Sequence, residues 1–284
     1  MRLYILILFI LFSFSLSGQY MMLAVEETAP ISANLLLDDY PGAIAAYSLR
    51  ELSTSWAGQD VIRVRESGSN TSQDFTAAEI IDGTLATFCG ANDGFVVTWY
   101  DQSGNGNDAT QGTTSFQPQI VSAGSVMTEG GKPIIKAADD TRILTIPISS
   151  TSINDLFATI SLDNSDDWFH TTLSDGSSSF FLNAQNGSTA TVLQGNVGSP
   201  SYYRNGSIYT GPTRDDVYDD FQGQNVLSII GASPTLWPKV NIGYRQQGPI
   251  KMANIQEIII YSSDQSANRT AIESNINGYY NIYP

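Results

Sequence analysis

Hydrophobic positions along this chain come in short runs separated by clusters of Asn, Asp, Gly and Ser. That is the pattern of strands joined by turns. Val61-Ile62-Arg63-Val64-Arg65 alternates apolar and charged residues, as a half-exposed strand does. Residues 95–100 form a denser apolar run suited to a central strand, and further short runs fall at 143–146, 180–182, 189–193, 226–230 and 255–261. Between Tyr202-Tyr203-Arg204 and Ser207-Ile208-Tyr209, the pair Asn205-Gly206 supplies the two positive φ angles of a type I′ hairpin. Helical spacing is rarer. Residues 41–56 place Ile44, Tyr47 and Leu52 on one broad face, with Leu49 at its edge, and predict a helix. A second, short helix is expected near the C-terminus, capped by Ser266 or Asp264, with Ile272 and Ile276 four residues apart. Many strands, many turns and few helices mean an all-β chain, a sandwich or a barrel.

Ahead of this pattern, residues 3–25 carry no charge, and their first half is almost all Leu, Ile and Phe. Arg2, a short apolar core and the small residues of Ser15-Leu16-Ser17 fit a cleaved secretory signal. The same uncharged run is long enough to span a bilayer as a retained anchor. Arg2 inside and Glu26-Glu27 beyond orient both versions alike, with the rest of the chain outside. The expected organisation is a signal peptide or membrane anchor over 1–25, a short linker over 26–38 and one domain over 39–284. The protein is therefore expected to be secreted or membrane-anchored.

Composition narrows the chemistry. With 28 acids against 13 bases the net charge is −15, which repels nucleic acid and anionic membranes. One Cys makes no intrachain disulfide and no thiolate zinc cluster, and one His allows at most a single dyad. Cys89 is expected as a small buried hydrophobe rather than a reactive thiol. His170, on the face of Trp168, is expected as an ordinary strand residue. Carboxylates remain as the plentiful reactive group.

Several motifs then appear in order: Ala45-Ala46-Tyr47-Ser48-Leu49-Arg50, Val61–Arg65, Gln73-Asp74, Trp99-Tyr100-Asp101-Gln102-Ser103-Gly104-Asn105-Gly106-Asn107-Asp108-Ala109, and Gln117-Pro118-Gln119-Ile120-Val121. This stretch resembles the catalytic domain of fungal-type α-L-arabinofuranosidase B and related domains of phage and marine bacterial proteins. The second half is similar to the broader laminin-G-like lectins, through Asp139-Asp140, the Arg204-Asn205-Gly206 hairpin and Asn241-Ile242-Gly243. The resemblance implies a concanavalin-like jelly-roll β-sandwich with a few short helices. It also implies a glycan or polysaccharide as partner and, from the phage relatives, a virion surface protein or a homo-oligomer.

The resemblance implies catalysis by two carboxyls, as retaining glycosidases require. The family's nucleophile, a Glu in Leu-Glu-Asn-Gly, has its nearest counterpart in Leu193-Gln194-Gly195-Asn196. The family's acid/base Asp follows an Ile-Gly-Gly element, and here Ile242-Gly243-Tyr244 is followed by Arg245. An amide cannot form a glycosyl ester and a guanidinium does not give up its proton. No catalytic residue is therefore assigned, and the expectation is a glycan-binding or adhesive module; a hydrolase with displaced carboxyls and a purely architectural capsid or envelope component are the alternatives. The doublets Asp139-Asp140, Asp166-Asp167, Asp215-Asp216 and Asp219-Asp220 are expected mostly in turns and on solvent faces.

Sugar recognition needs rings beside planar hydrogen-bonding groups. The expected carbohydrate-binding residues are Trp168, Gln194, Tyr203, Tyr244 and Arg245, with Tyr202, Trp237 and Asn241 as further candidates. Alternation places about half of the aromatics in the core. Asp101, Ser103 and Asn105 put oxygens at positions one, three and five of a calcium-like loop, yet position twelve is Gly112 where an EF-hand has Glu. The same residues fit an Asx-rich turn whose side chains bond their own backbone. Calcium is the one cofactor this pattern raises.

Overall fold

The computed structural model describes residues 35–136, 142–162, 169–176, 179–191, 194–243 and 250–284, and for 169–171 and 250–252 the backbone without side chains. Among the described residues most strands form two antiparallel sheets, and the fold is an all-β jelly-roll sandwich. The six-stranded sheet runs in the order Ala43–Ser48, Asn254–Tyr261, Asp155–Ser161, Asn225–Ile230, Ser201–Arg204 and Ser207–Ile208. The nine-stranded sheet has the path Leu173–Ser174, Val240–Ile242, Leu144–Ile146, Ala109–Thr110, Gly94–Trp99, Asp60–Glu66 and Ser72–Thr76. Gln119–Ser122 and Ser125–Val126 join it beside Gly94–Trp99.

Two cores lie on the two faces of the six-stranded sheet. Ile255, Ile258 and Ile260 face the nine-stranded sheet, together with Leu156 and Ala158, and share a core with Trp99 of that sheet. Ile259, Tyr261 and Phe157 face outward, against Leu36, Ile272, Ile276 and Tyr280. The helix Arg269–Tyr280 thus covers this sheet's outer surface. Burial on both faces explains why 255–261 reads as an unbroken apolar run.

The same constraint corrects the helix expected over 41–56. Residues Ala43–Ser48 form a strand paired with Asn254–Tyr261, and only Thr54–Trp56 makes a short 3-10 turn. Ala45 and Tyr47 enter one core while Ala43 and Ala46 enter the other. A strand apolar on both faces carries no alternation, so its spacing imitates a helix, and sheet pairing decides. Residues 189–191 are irregular rather than extended, and 192–193 lie outside the described residues. Phe180 makes isolated bridges instead of a strand. The hairpin stands as expected, with φ of 50° at Asn205 and 83° at Gly206. The last helix starts after Asn268 rather than at Ser266 or Asp264, and buries Ile272 and Ile276. Asp264 instead accepts the Ser266 N–H at 2.8 Å. Four short α-helices were not expected: Leu36–Asp39, Thr84–Cys89, and Ala77–Ile81 and Arg214–Asp220, the last two each opened by a capping box.

The strand Ala43–Ser48 is the outermost of its sheet, so half of its backbone groups lack a strand partner. The loop 101–107 covers them. Asp101 Oδ1 accepts the Ala46 N–H at 2.8 Å, and the Gln102 N–H donates to Ala46 O at 2.8 Å. Asn105 Nδ2 donates to Ala43 O at 2.9 Å and Asn107 Nδ2 to Ile44 O at 2.7 Å. Gln102 continues the seam, accepting from Leu52 N at 2.8 Å and donating to Ser48 O and Arg50 O. Asp101 also takes the Ser103 N–H and Oγ–H and the Asn107 N–H, at 2.9, 2.7 and 2.9 Å. Its two oxygens thus hold four donors, about the full capacity of a carboxylate. Of the residues read as calcium-like, Asp101 and Asn105 therefore close a sheet edge and Ser103 braces Asp101. Among the described residues no group of three or more His, Cys, Asp and Glu is placed to hold a metal ion.

Cys89 is buried in the core between the sheets, and its thiol is pushed up to about 11 by burial and by the nearby Glu66 and Asp93. Gly94 lies against it: a Cβ there would meet Cys89 Sγ and Val121 Cβ at 2.9 Å.

Replacing Asp101 with Ala should cost roughly 2–4 kcal/mol in urea denaturation, because it strands buried N–H groups. A loss under about 0.5 kcal/mol, the scale of an ordinary surface substitution, would show that the edge does not depend on it. Calcium or EDTA should leave the melting temperature in place, whereas a calcium-dependent rise would return the loop to metal binding. A thiol reagent at mildly alkaline pH should modify Cys89 at the rate of unfolding; rapid labelling of the native protein would contradict its burial.

Candidate functional site

One sheet is covered by a helix, and the outer face of the nine-stranded sheet reaches solvent at Thr110. Directly opposed residues in adjacent strands project from the same face. Phe75, Ile62, Trp99 and Ala109 are in register and fully buried, as are Leu144, Ile242 and Leu173 beyond them. The neighbouring register therefore points away from the core. It is a continuous polar row: Asp74, Arg63, Thr98, Thr110, Thr145, Asn241 and Ser174. Each strand contributes one residue, so no local sequence motif records the row.

The row is exposed in its middle and held at its ends. Thr110 is exposed, Thr98 and Thr145 are half-buried, and Asn241 and Ser174 are buried. Thr145 Oγ1 donates to Asn241 Oδ1 at 2.9 Å, and Ser174 Oγ donates to Gly243 O at 2.6 Å. At the other end Arg63 pairs with Asp74 at 2.9 Å, and the Tyr100 hydroxyl donates to Asp74 Oδ1 at 2.6 Å. Burial and the hydrogen bond to Asp74 push Tyr100 up to about 12, so it stays a neutral donor across the physiological range. The Arg63–Asp74 pair is half in water and adds little stability. What it provides is a planar, fixed set of donors and acceptors beside a line of hydroxyls. Such a surface can exchange hydrogen bonds with the hydroxyls of a sugar chain.

Past Ser174 the register continues through isolated bridges to Phe180 and then Gly195. Gly195 therefore ends the row, and Gln194 is its half-buried neighbour along the chain. Asn196 Nδ2 donates to Ser179 Oγ at 2.9 Å, and Asp175 Oδ1 accepts the Ser179 N–H at 3.1 Å, which tie this corner together. Gly243 reaches the same corner: its N–H donates to Thr172 O at 2.9 Å. Tyr244, Arg245 and Trp168 lie outside the described residues, as do Asp139-Asp140 and Asp166-Asp167, and His170 is described by its backbone.

Tyr203 is elsewhere. It belongs to the six-stranded sheet, and the Arg269 guanidinium of the covering helix lies 3.9 Å from its ring centroid. The structure does not bring Tyr203 together with Gln194. Tyr202 and Trp237 are core residues. Asp215 and Asp216 open a helix, and Asp220 accepts from Arg204 and Tyr209. Ser103 and Asn105 stay with Asp101 at the sheet edge.

No family model matches this chain, and no curated protein sequence is similar to it. Solved structures are. A GH54 α-L-arabinofuranosidase soaked with a cyclic sulfate inhibitor superposes with a TM-score of 0.50 at 13% identity. The match covers 82% of this chain and 62% of that enzyme, so the chain spans less than two thirds of its length. An arabinofuranosidase complexed with arabinofuranosyl-α-1,2-xylobiose aligns over the same shares, with a TM-score of 0.49 at 14% identity. At such identity the likeness speaks of architecture: this chain has an arabinofuranosidase-like β-sandwich.

Proposed function

We propose that the chain is an exported glycan-binding module on an arabinofuranosidase-like scaffold, without hydrolysis. The observation that carries the reading is the polar row on the outer face of the nine-stranded sheet, exposed at Thr110 and half-buried at Thr98 and Thr145. The fold likeness brings carbohydrate as the ligand class, and fold alone brings no activity. In the resemblance to arabinofuranosidase B, Gln194 stands where the nucleophile belongs. An amide there can hydrogen-bond a sugar and cannot become its glycosyl ester. Export rests on the charge-free N-terminal run behind Arg2.

The protein should release no p-nitrophenol from an arabinofuranoside and should bind immobilised polysaccharide. Thr98→Val and Thr110→Val should each weaken that binding by up to about tenfold, the value of one hydrogen bond, with little change in stability. Turnover abolished by a single Asp or Glu substitution would replace this reading with the hydrolase. Failure to bind any glycan at high protein concentration would favour an architectural role.

A further inference from the structure

Five neighbouring strands carry the accessible part of the polar row. From the sheet edge they are Ser72–Thr76, Asp60–Glu66, Gly94–Trp99, Ala109–Thr110 and Leu144–Ile146, and they contribute Asp74, Arg63, Thr98, Thr110 and Thr145. Thr110 is exposed, Thr98 and Thr145 are half-buried, and the Arg63 and Asp74 side chains keep 41% and 32% of their surface in water. Asn241 and Ser174, the next two members, are buried, so the reachable stretch ends at Thr145.

This stretch has hydrogen-bonding capacity to spare. Among the described residues no protein group bonds the Thr98 or Thr110 hydroxyl, so each can donate one bond and accept others. Thr145 gives its proton to Asn241 Oδ1 at 2.9 Å and keeps its lone pairs as acceptors. Arg63 spends Nη1 on Asp74, whose Oδ1 also takes the Tyr100 hydroxyl. The guanidinium charge is thus met by a carboxylate, on a chain whose net charge is −15. The stretch offers hydrogen bonds and no net attraction for an acidic polymer. None of its five members is aromatic, so it forms no flat platform of rings.

Adjacent strands lie about 4.8 Å apart, and one sugar residue of an extended polysaccharide advances by about the same length. We propose that the row binds a single, extended, neutral polysaccharide chain laid across the strands, one sugar for each strand from Asp74 to Thr145. This deepens the glycan-binding reading and rests on it. The ligand is read along its length, by bonds to successive hydroxyls, rather than at a chain end or a pendant sugar. Ser72–Thr76 is the outermost strand of the path, so no further strand of this sheet lies past Asp74. Neighbouring strands turn by roughly 20–25° relative to one another, so the row twists and suits a soluble chain that twists with it. A flat crystalline sugar surface would meet only part of it.

The test titrates the full chain with soluble, linear 1,4-xylo-oligosaccharides and 1,5-arabino-oligosaccharides of two to eight residues, with polygalacturonate and crystalline cellulose for comparison. In at least one series the pentasaccharide should bind at least about tenfold more tightly than the disaccharide, because the added sugars bring further hydrogen bonds. Lengthening beyond five residues should add little. Raising salt from about 0.1 M to 1 M should leave the affinity in place, because no charge pair joins ligand and protein. Thr110→Glu, at the exposed centre of the stretch, should weaken pentasaccharide binding at least about tenfold with an unchanged melting temperature. Equal affinity for disaccharide and pentasaccharide, or indifference to Thr110→Glu, would overturn this inference and leave the glycan reading intact. So would binding confined to polygalacturonate or to cellulose. Binding to none of the four would overturn both.

Discussion

Glu257 has no exposed surface, lies in the middle of the strand Asn254–Tyr261, and points at the face covered by the last helix. A carboxylate there is tolerable only if it is fully met by donors. Arg50 meets it with two bonds, Nε at 2.8 Å and Nη2 at 3.0 Å, and Ser48 Oγ adds a third at 2.8 Å. The Tyr280 hydroxyl adds a longer contact at 3.3 Å, and Asn275 of the same helix accepts from Arg50 at 3.2 Å. The Tyr279 ring lies between Arg50, 4.8 Å away, and Lys132, 4.1 Å away. One buried charge thereby fixes the edge strand, the chain leaving it and the helix. The edge-sealing loop joins the same knot, since Gln102 donates to the carbonyls of Ser48 and Arg50.

The knot commits the outer face of one sheet to the helix, while the outer face of the other reaches solvent at Thr110. The alternation of Arg63 and Arg65 with buried Val61, Ile62 and Val64 follows from this division, and so does its absence in Asn254–Tyr261. The difference between the two strand patterns is a difference in what covers each sheet.

Strands buried on one face were therefore legible from sequence, and so was the Asn205-Gly206 hairpin, because each carries its signal locally. The strand Ala43–Ser48 was not, since burial on both faces removed the period that identifies a strand. The turn Ala77–Ile81 had a readable signal in Thr76 and Glu79, a capping box three residues apart. The candidate site had almost none. Its row draws single residues from seven strands, and only register, which depends on bulges at Val61 and between Val96 and Thr98, lines them up. The resemblance points to Gln194, and Tyr203 lies on the other sheet, because a hairpin aromatic has the same signal on either sheet.

The acidic composition also has a physical explanation in this fold. A sandwich with many irregular connections has many backbone N–H groups without a strand partner. Carboxylates serve them repeatedly here: Asp38 takes Thr54, Glu51 takes Gly58, Asp93 takes Ala123, and Asp155 takes Gly231. Glu79 and Asp216 close capping boxes, and Asp82 and Asp264 cap turns two residues ahead. Charge-assisted bonds of this kind hold Glu66, Asp82 and Asp264 below the ordinary carboxylate range. Acids so engaged are fixed by the backbone they support, and their abundance follows from the number of turns.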